Sequence, residues 1–76
     1  MIMLTLKAAR VNCNLTILEA SNILGVNKDS LSRIERNSTK ISRSLSKKMS
    51  KLYQIPEEHL FFGDIKDFPL IKTVRK

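Results

Sequence analysis

Apolar residues recur along most of this chain at the spacing of an α-helix rather than of a β-strand. Strand-like alternation is nearly absent before residue 69, and the chain contains only two glycines and two prolines. This pattern favours helices joined by tight turns. The clearest helix is predicted to begin at residue 41 or 42, with apolar residues spaced four, three and one along a single face. These residues are Leu45, Met49, Leu52 and Tyr53.

Capping residues mark the ends of two earlier helices. The first is predicted over residues 5–12, and Asn14 after it tolerates the left-handed conformation of a cap. The second is predicted over residues 16–24, because Thr16 opens a capping box of the form S/T-x-x-E. Gly25 follows at the position where a left-handed turn is needed.

The next predicted helix has two chemically different faces. Asn27 is its predicted cap, and it stops near Asn37, another residue suited to a left-handed cap. At about 100° per residue, Leu31, Ile34 and Glu35 point to one side. The opposite side carries Asp29, Ser32, Arg33 and Arg36, with Lys28 at its flank. One face is therefore built to pack, and the other to meet something polar or anionic.

A short fifth helix is predicted over residues 56–61, with Pro56 in its first turn and Gly63 ending it. Five short helices with short connections predict a compact all-α domain over residues 1–63. Residues 64–76 are predicted to form an irregular tail, which is either a frayed end or a short dimerisation arm.

The charge distribution points to an anionic partner. The chain of 76 residues is 42% apolar, which suits one small domain, and its net charge is +7. Residues 28–51 contain eight Lys or Arg against two acids, a net charge of +6. Such a basic stretch predicts a polyanion, with nucleic acid favoured over an acidic membrane, although a solvated face is the simpler alternative.

The remaining composition suggests a soluble intracellular protein, expected in the cytoplasm. A single cysteine, Cys13, excludes a disulfide within the chain. The apolar opening of four residues is too short for a signal peptide or a membrane span.

Four stretches within residues 4–61 carry a resemblance to a known family: LKAARVN, LT, LGVNKDSLSRIER and KLYQIPEEHLF. In order and without gaps, they resemble the phage repressor and Cro-like family of helix-turn-helix regulators, the xenobiotic-response-element type. The segment SRIER is the most specific part. The resemblance implies a five-helix, lambda-repressor-like DNA-binding domain that represses or activates transcription, with repression the favoured role. It also implies double-stranded DNA as the partner, and therefore a nucleoid-associated protein.

By position, the resemblance makes the third helix the recognition helix in the major groove, with its N-terminal residues at the base edges. The loop after this helix and nearby side chains are expected to contact phosphates without reading sequence. The candidate base-reading residues are Asn27, Lys28, Asp29, Ser32 and Arg33, with Arg36 further toward the backbone. The candidate phosphate contacts are Lys28, Ser38, Thr39 and Lys40.

Two of these residues have more specific expected roles. The fork of the Arg33 guanidinium suits guanine O6 and N7. Asp29 lies four residues earlier and is therefore a neighbour on the helix surface. It could hold Arg33 in its reading pose or accept from a cytosine N4, and a plain surface ion pair is the alternative.

The resemblance also identifies an ion pair that holds the fold together and three positions that differ from the usual family pattern. It implies an ion pair between Arg10 and Glu35 that ties the first helix to the third. Ile17 stands where the family usually has a glutamine that touches phosphate, and Leu18 and Ile23 occupy places that are generally polar. An apolar edge of this kind hints at a protein partner.

Competing functions are other binding modules rather than enzymes. The chain shows no paired carboxylates in a plausible cleft, no Cys/His nucleophile set and no metal-ligand cluster, so neither catalysis nor a cofactor is expected. The alternatives are an antitoxin, an interaction protein with slight DNA affinity and, last, a membrane-surface binder. Because one such module buries little area on DNA, a homodimer on two half-sites is expected.

Overall fold

The computed structural model of the protein describes residues 3–68, and this part of the chain is helical, with no strand beyond isolated bridges. The predicted all-α class is therefore confirmed within these residues. None of the helices described is long and apolar enough to cross a membrane. The helices are α1 (Leu6–Asn12), α2 (Ile17–Leu24), α3 (Lys28–Arg36) and α4 (Arg43–Tyr53), followed by single 3-10 turns at Glu57–His59 and Ile65–Asp67.

Side-chain caps begin each of the four α-helices. The predicted capping box of α2 is confirmed: the Thr16 hydroxyl accepts from the Glu19 amide at 3.1 Å, and the Glu19 carboxylate accepts from the Thr16 amide at 2.9 Å. Asn27 caps α3 as predicted, and Ser42 caps α4. Thr5 lies outside α1 as its cap rather than inside it. These contacts satisfy backbone donors that a helix start otherwise leaves without partners.

The turns between helices follow the predictions in two places and differ in a third. Gly25 closes α2 with φ 74°, and Asn14 has φ 58°, so both adopt the left-handed conformation. Asn37 does not: its φ of −152° is extended. The reason is a partner distant in sequence, because Asn37 forms an antiparallel bridge with Asp64.

The predicted fifth helix is not confirmed as an α-helix: residues 3–68 contain four α-helices, and only the 3-10 turn Glu57–His59 lies within the predicted range of 56–61. After the 3-10 turn at Glu57–His59 the chain is extended, because Leu4 and Leu60 form a parallel bridge. The Leu4 amide donates to the His59 carbonyl, and the Phe61 amide donates to the Leu4 carbonyl, both at 2.8 Å. A helix through Phe61 would need that same amide for a local bond. Pairing with the N-terminal segment takes its place.

The core lies between α1, α2, α3 and α4 and is closed by the segment that follows α4. Its buried apolar residues come from every α-helix and from Leu60 in that segment. Leu6 and Ala9 of α1 are buried. On the predicted apolar face of α4, Met49 and Tyr53 are buried, but Leu45 and Leu52 are only half-buried. The buried set is Leu6, Ala9, Ala20, Leu24, Leu31, Met49, Tyr53 and Leu60.

Residues 63–68 turn back onto the end of α3. The Ser38 amide donates to the Gly63 carbonyl at 2.9 Å, and the Gly63 amide donates to the Ser38 hydroxyl at 2.8 Å. The domain boundary predicted at residue 63 falls within this hydrogen-bonded segment and remains a prediction. Residues 69–76, in which most of the predicted dimerisation arm lies, are outside the described part of the chain.

Candidate nucleic-acid interface

A tight turn joins α2 to α3 and fixes one helix against the other. Gly25 leaves α2 in the left-handed conformation, and the Val26 amide donates to the Ser21 carbonyl at 3.0 Å. Val26 then packs against the core, and Asn27 begins the next helix by accepting from the Asp29 amide at 2.7 Å. The two helices contact each other along the core, so the arrangement is a helix-turn-helix.

The two predicted faces of α3 are present in the structure. Leu31 is buried, Ile34 packs against the core, and the Glu35 side chain is almost buried. Every residue predicted for the opposite face is exposed, so this polar surface is open to a ligand. The exposed residues are Lys28, Asp29, Ser32, Arg33 and Arg36, together with Asn27 at the cap.

A buried ion pair ties α1 to the inner face of α3, as the family resemblance implies. Arg10 Nε lies 2.6 Å from Glu35 Oε2, and Arg10 Nη2 lies 3.3 Å from Glu35 Oε1. A third donor, Arg10 Nη1, binds the Leu15 carbonyl at 2.8 Å. The two side chains are only 10% and 7% exposed. The hydrogen bond to Glu35 raises the pKa of the Arg10 guanidinium, against the effect of burial. Arg10 therefore orients α3 and is not available to DNA.

Tyr53 lies in the same interior. Burial, assisted by the Glu35 carboxylate, raises the pKa of its phenol from 10.0 to about 12. The hydroxyl is buried and has no hydrogen-bond partner within residues 3–68. The pKa values of Arg10 and Tyr53 are thus both raised in the interior that they share with the Glu35 carboxylate.

In the loop after α3, two of the three residues predicted to contact phosphate are exposed to solvent. Thr39 and Lys40 are exposed, and the Thr39 amide donates to the Asn37 side chain at 3.0 Å. Ser38 is different: it is 3% exposed and its hydroxyl is held by Gly63. A phosphate contact by the Ser38 side chain does not fit this burial. Its position is set by the segment that folds back on α3, which local sequence does not reveal.

The basic residues at the end of α3 line an open groove of about 750 Å³. Asp64, Ile65 and Lys66, from the segment that folds back on α3, line the same groove as Arg33, Arg36 and Lys40. Sequence reasoning missed Lys66, which it placed in an irregular tail. No local signal could have found it, because its location depends on the pairing of residues 37 and 64.

Asp29 does not pair with Arg33 in this structure. Within the described residues its carboxylate forms an ion pair with Lys28, where Nζ and Oδ1 are 3.7 Å apart. Both side chains are largely exposed, so the pair contributes little to stability. The hypothesis that Asp29 fixes the pose of Arg33 therefore finds no contact in the protein alone.

The apolar edge predicted on α2 is smaller than expected. Ile17 is half-buried and packs against the core, so it belongs to the interior. Leu18 and Ile23 are 54% and 59% exposed. They are five positions apart and therefore lie about 140° from each other around the helix axis. The two exposed side chains do not form one apolar stripe.

Within residues 3–68 no group of His, Cys, Asp and Glu could hold a metal ion.

Comparison with known proteins agrees with the helix-turn-helix arrangement of α2 and α3. No curated protein sequence matches the chain. Residues 6–60, which span α1 to the segment after α4, match a family model described as helix-turn-helix.

Proposed function

Because the chain belongs to the helix-turn-helix family of the Cro and phage-repressor type, a family of DNA-binding transcription regulators, we propose that it binds specific sites in double-stranded DNA and represses transcription. The observation that carries this proposal is the exposed polar face of α3, which stands opposite a buried face held by the Arg10–Glu35 pair. A helix fixed in this way can enter the major groove without losing its orientation.

The proposed roles follow from position and chemistry. Residues at the start of α3 lie where base edges are read, and Arg33 offers a bidentate donor to guanine. Arg36, Thr39 and Lys40 surround the groove at the end of the helix, where a phosphate strand passes a recognition helix. The proposed base-reading residues are Asn27, Lys28, Asp29, Ser32 and Arg33. The Asn27 carboxamide oxygen already caps the helix, so its amide nitrogen is the group left for DNA.

Repression by occupancy requires a stable complex, and one module of this size buries little surface on DNA. We therefore propose a homodimer on two half-sites about one helical turn apart. Blocking polymerase at such a site needs no cofactor and no catalytic group.

Selection of bound sequences from random duplex DNA tests this function. The expected result is a pseudo-palindrome whose half-sites are separated by about one helical turn. A matched control is the Arg33→Ala variant, which should no longer select a guanine at one position of each half-site. A selection that enriches no sequence would contradict the proposal.

A second candidate function is an antitoxin-like or protein-interaction module, favoured by the exposure of Leu18 and Ile23. Such a protein would form a complex through α2 and bind DNA weakly. The double variant Leu18→Ser and Ile23→Ser separates the two functions, since neither residue lies on the exposed face of α3. If the double variant selects the same DNA sequences as the parent protein, the repressor function is supported. If the parent protein binds DNA weakly and co-purifies with a protein that the double variant no longer retains, the interaction module is supported.

A further inference from the structure

The segment that follows the family-matched region lies against the proposed DNA face. The family match ends at residue 60, yet residues 63–67 return to the end of α3. Two sets of contacts hold this segment against α3. They are the pair of hydrogen bonds between Ser38 and Gly63 and the β-bridge between Asn37 and Asp64. The Asn37 side chain also donates to the Asp64 carboxylate at 3.4 Å.

The 3-10 turn Ile65–Asp67 extends the polar surface of α3. Ile65 lines the groove beside Arg33 and Lys40, and it also lines a second depression that contains Ser32 and Arg36. The turn is therefore adjacent to the middle and the end of the recognition helix. It places Lys66, whose side chain is exposed, among the residues that line the first groove.

The charges in this groove favour an anion. Four cationic residues line it, and Asp64 is the one acid among its lining residues. The Asp64 carboxylate accepts from the Lys66 amide at 3.0 Å and from Asn37, so it is used to hold the segment. Lys66 Nζ lies 3.8 Å from Asp64 Oδ2, and the lysine side chain is 81% exposed whereas the Asp64 side chain is 27% exposed. Because this contact is long and the lysine is solvated, a phosphate can replace it at little cost. The cationic residues are Arg33, Arg36, Lys40 and Lys66.

We propose that the turn Ile65–Asp67 is a second DNA-contacting element, in which Lys66 neutralises a backbone phosphate on the strand that Lys40 also contacts. This inference rests on the proposed function and deepens it. It extends the DNA-binding surface past residue 63, where composition and pattern placed the end of the domain. Lys66 positions the protein on DNA and reads no base.

The salt dependence of DNA affinity tests Lys66 directly. Each phosphate contact contributes about 0.9 to the slope of log affinity against log salt. Lys66→Ala should therefore reduce the magnitude of the slope by about 0.9, so that the loss of affinity relative to the parent protein is about eightfold larger at 0.1 M salt than at 1 M. The loss should be equal for the selected duplex and for random duplex. Lys51→Ala is the matched control, because it removes the same charge from an exposed position on α4.

The outcomes separate the inference from the proposed function. If the parent protein binds a specific duplex and Lys66→Ala has the same slope as Lys51→Ala, the second element does not exist and the repressor function stands. If the parent protein binds no duplex with measurable salt dependence, both fail. A slope that falls only in the Lys66 variant supports both.

Ser38 provides a second test that does not remove a charge. It is buried and cannot touch DNA, but its hydroxyl accepts from the Gly63 amide and so positions the segment. Ser38→Ala should weaken DNA binding by releasing Lys66, and combining it with Lys66→Ala should give no further loss. Combining it with Lys40→Ala should give the product of the two single losses. If the losses of affinity multiply in both double variants, Ser38 does not act through Lys66. Circular dichroism checks that the variants fold.

Discussion

The two faces of α3 differ in how much of their charge is neutralised within the protein. On the inner face, Glu35 is almost buried and receives two donors from Arg10. On the outer face, Arg33 and Arg36 pair with no carboxylate of residues 3–68, and the one ion pair there joins exposed Lys28 and Asp29. The inner charge is used by the fold, whereas the outer charge is left for a ligand.

This difference implies that stability and binding divide by face. Substitution on the inner face leaves a buried group without its partner, which is costly. Substitution on the outer face removes a solvated side chain and leaves the fold nearly unchanged. The predictions below test that division, beginning with the largest expected effect.

Glu35→Ala should have the largest effect on stability. It leaves the Arg10 guanidinium buried without its counter-charge, and breaking a buried pair from one side costs about 3–5 kcal/mol. The loss should appear as a lower urea midpoint at unchanged m-value. Replacing both partners with apolar residues, Arg10→Met with Glu35→Leu, is the control and should be much less destabilising. Equal losses in the single and double variants would show that the pair is not the cause.

Tyr53 should make stability fall at alkaline pH. Its folded pKa of about 12 lies above the unfolded value of 10.0, so the folded state retains a proton that the unfolded state releases. The associated stability, about 2–3 kcal/mol, is present below pH 10 and is lost as pH rises toward 12. Unfolding by urea at pH 7 and at pH 11, where about half of this stability should be lost, measures the effect.

Tyr53→Phe is the matched control for that pH dependence. It removes the titrating group and also a buried hydroxyl that has no partner in the described residues. The variant should therefore be as stable as the parent protein at neutral pH or slightly more so, and its stability should change less between pH 7 and 11. An identical pH dependence in both proteins would assign the effect to other groups.

Local signals predicted most of the helices, because the residues that start them act within three positions along the chain. The Thr16–Glu19 box and the Asn27 cap are examples. The fifth helix failed because its decisive contact is distant in sequence: Leu4 takes the Phe61 amide. Propensity and capping cannot report a partner more than 50 positions away.

The candidate site shows the same division. The outer face of α3 follows from helical periodicity, which is a local property, and the structure exposes every residue predicted there. The conformation of Asn37, the burial of Ser38 and the location of Lys66 were all missed. These three errors have one cause, since each depends on residues 63–66 folding back onto the end of α3.

Arg33→Ala should change binding without changing stability. The side chain is exposed, and alanine is a good helix former, so the free energy of unfolding should barely move. Affinity for the selected duplex should fall by about 1–3 kcal/mol, and discrimination should relax at one base pair of each half-site. Competition with single-base variants of the duplex measures both. Arg43→Ala, on α4, is the control for a lost charge. Equal weakening on specific and random DNA would make Arg33 a phosphate contact instead.

Asp29→Ala should have the smallest effect, and its direction depends on the sequence of the DNA. Removing a carboxylate from the proposed DNA-binding surface reduces repulsion toward phosphates, so affinity for random duplex should rise slightly. Asp29 pairs with Lys28 and not with Arg33. We therefore expect specificity to relax at a base pair whose cytosine Asp29 contacts, and not at the base pair proposed for Arg33. The same competition assay locates the affected position. Relaxation at the Arg33 base pair would show that DNA brings the two side chains together and that Asp29 positions the guanidinium.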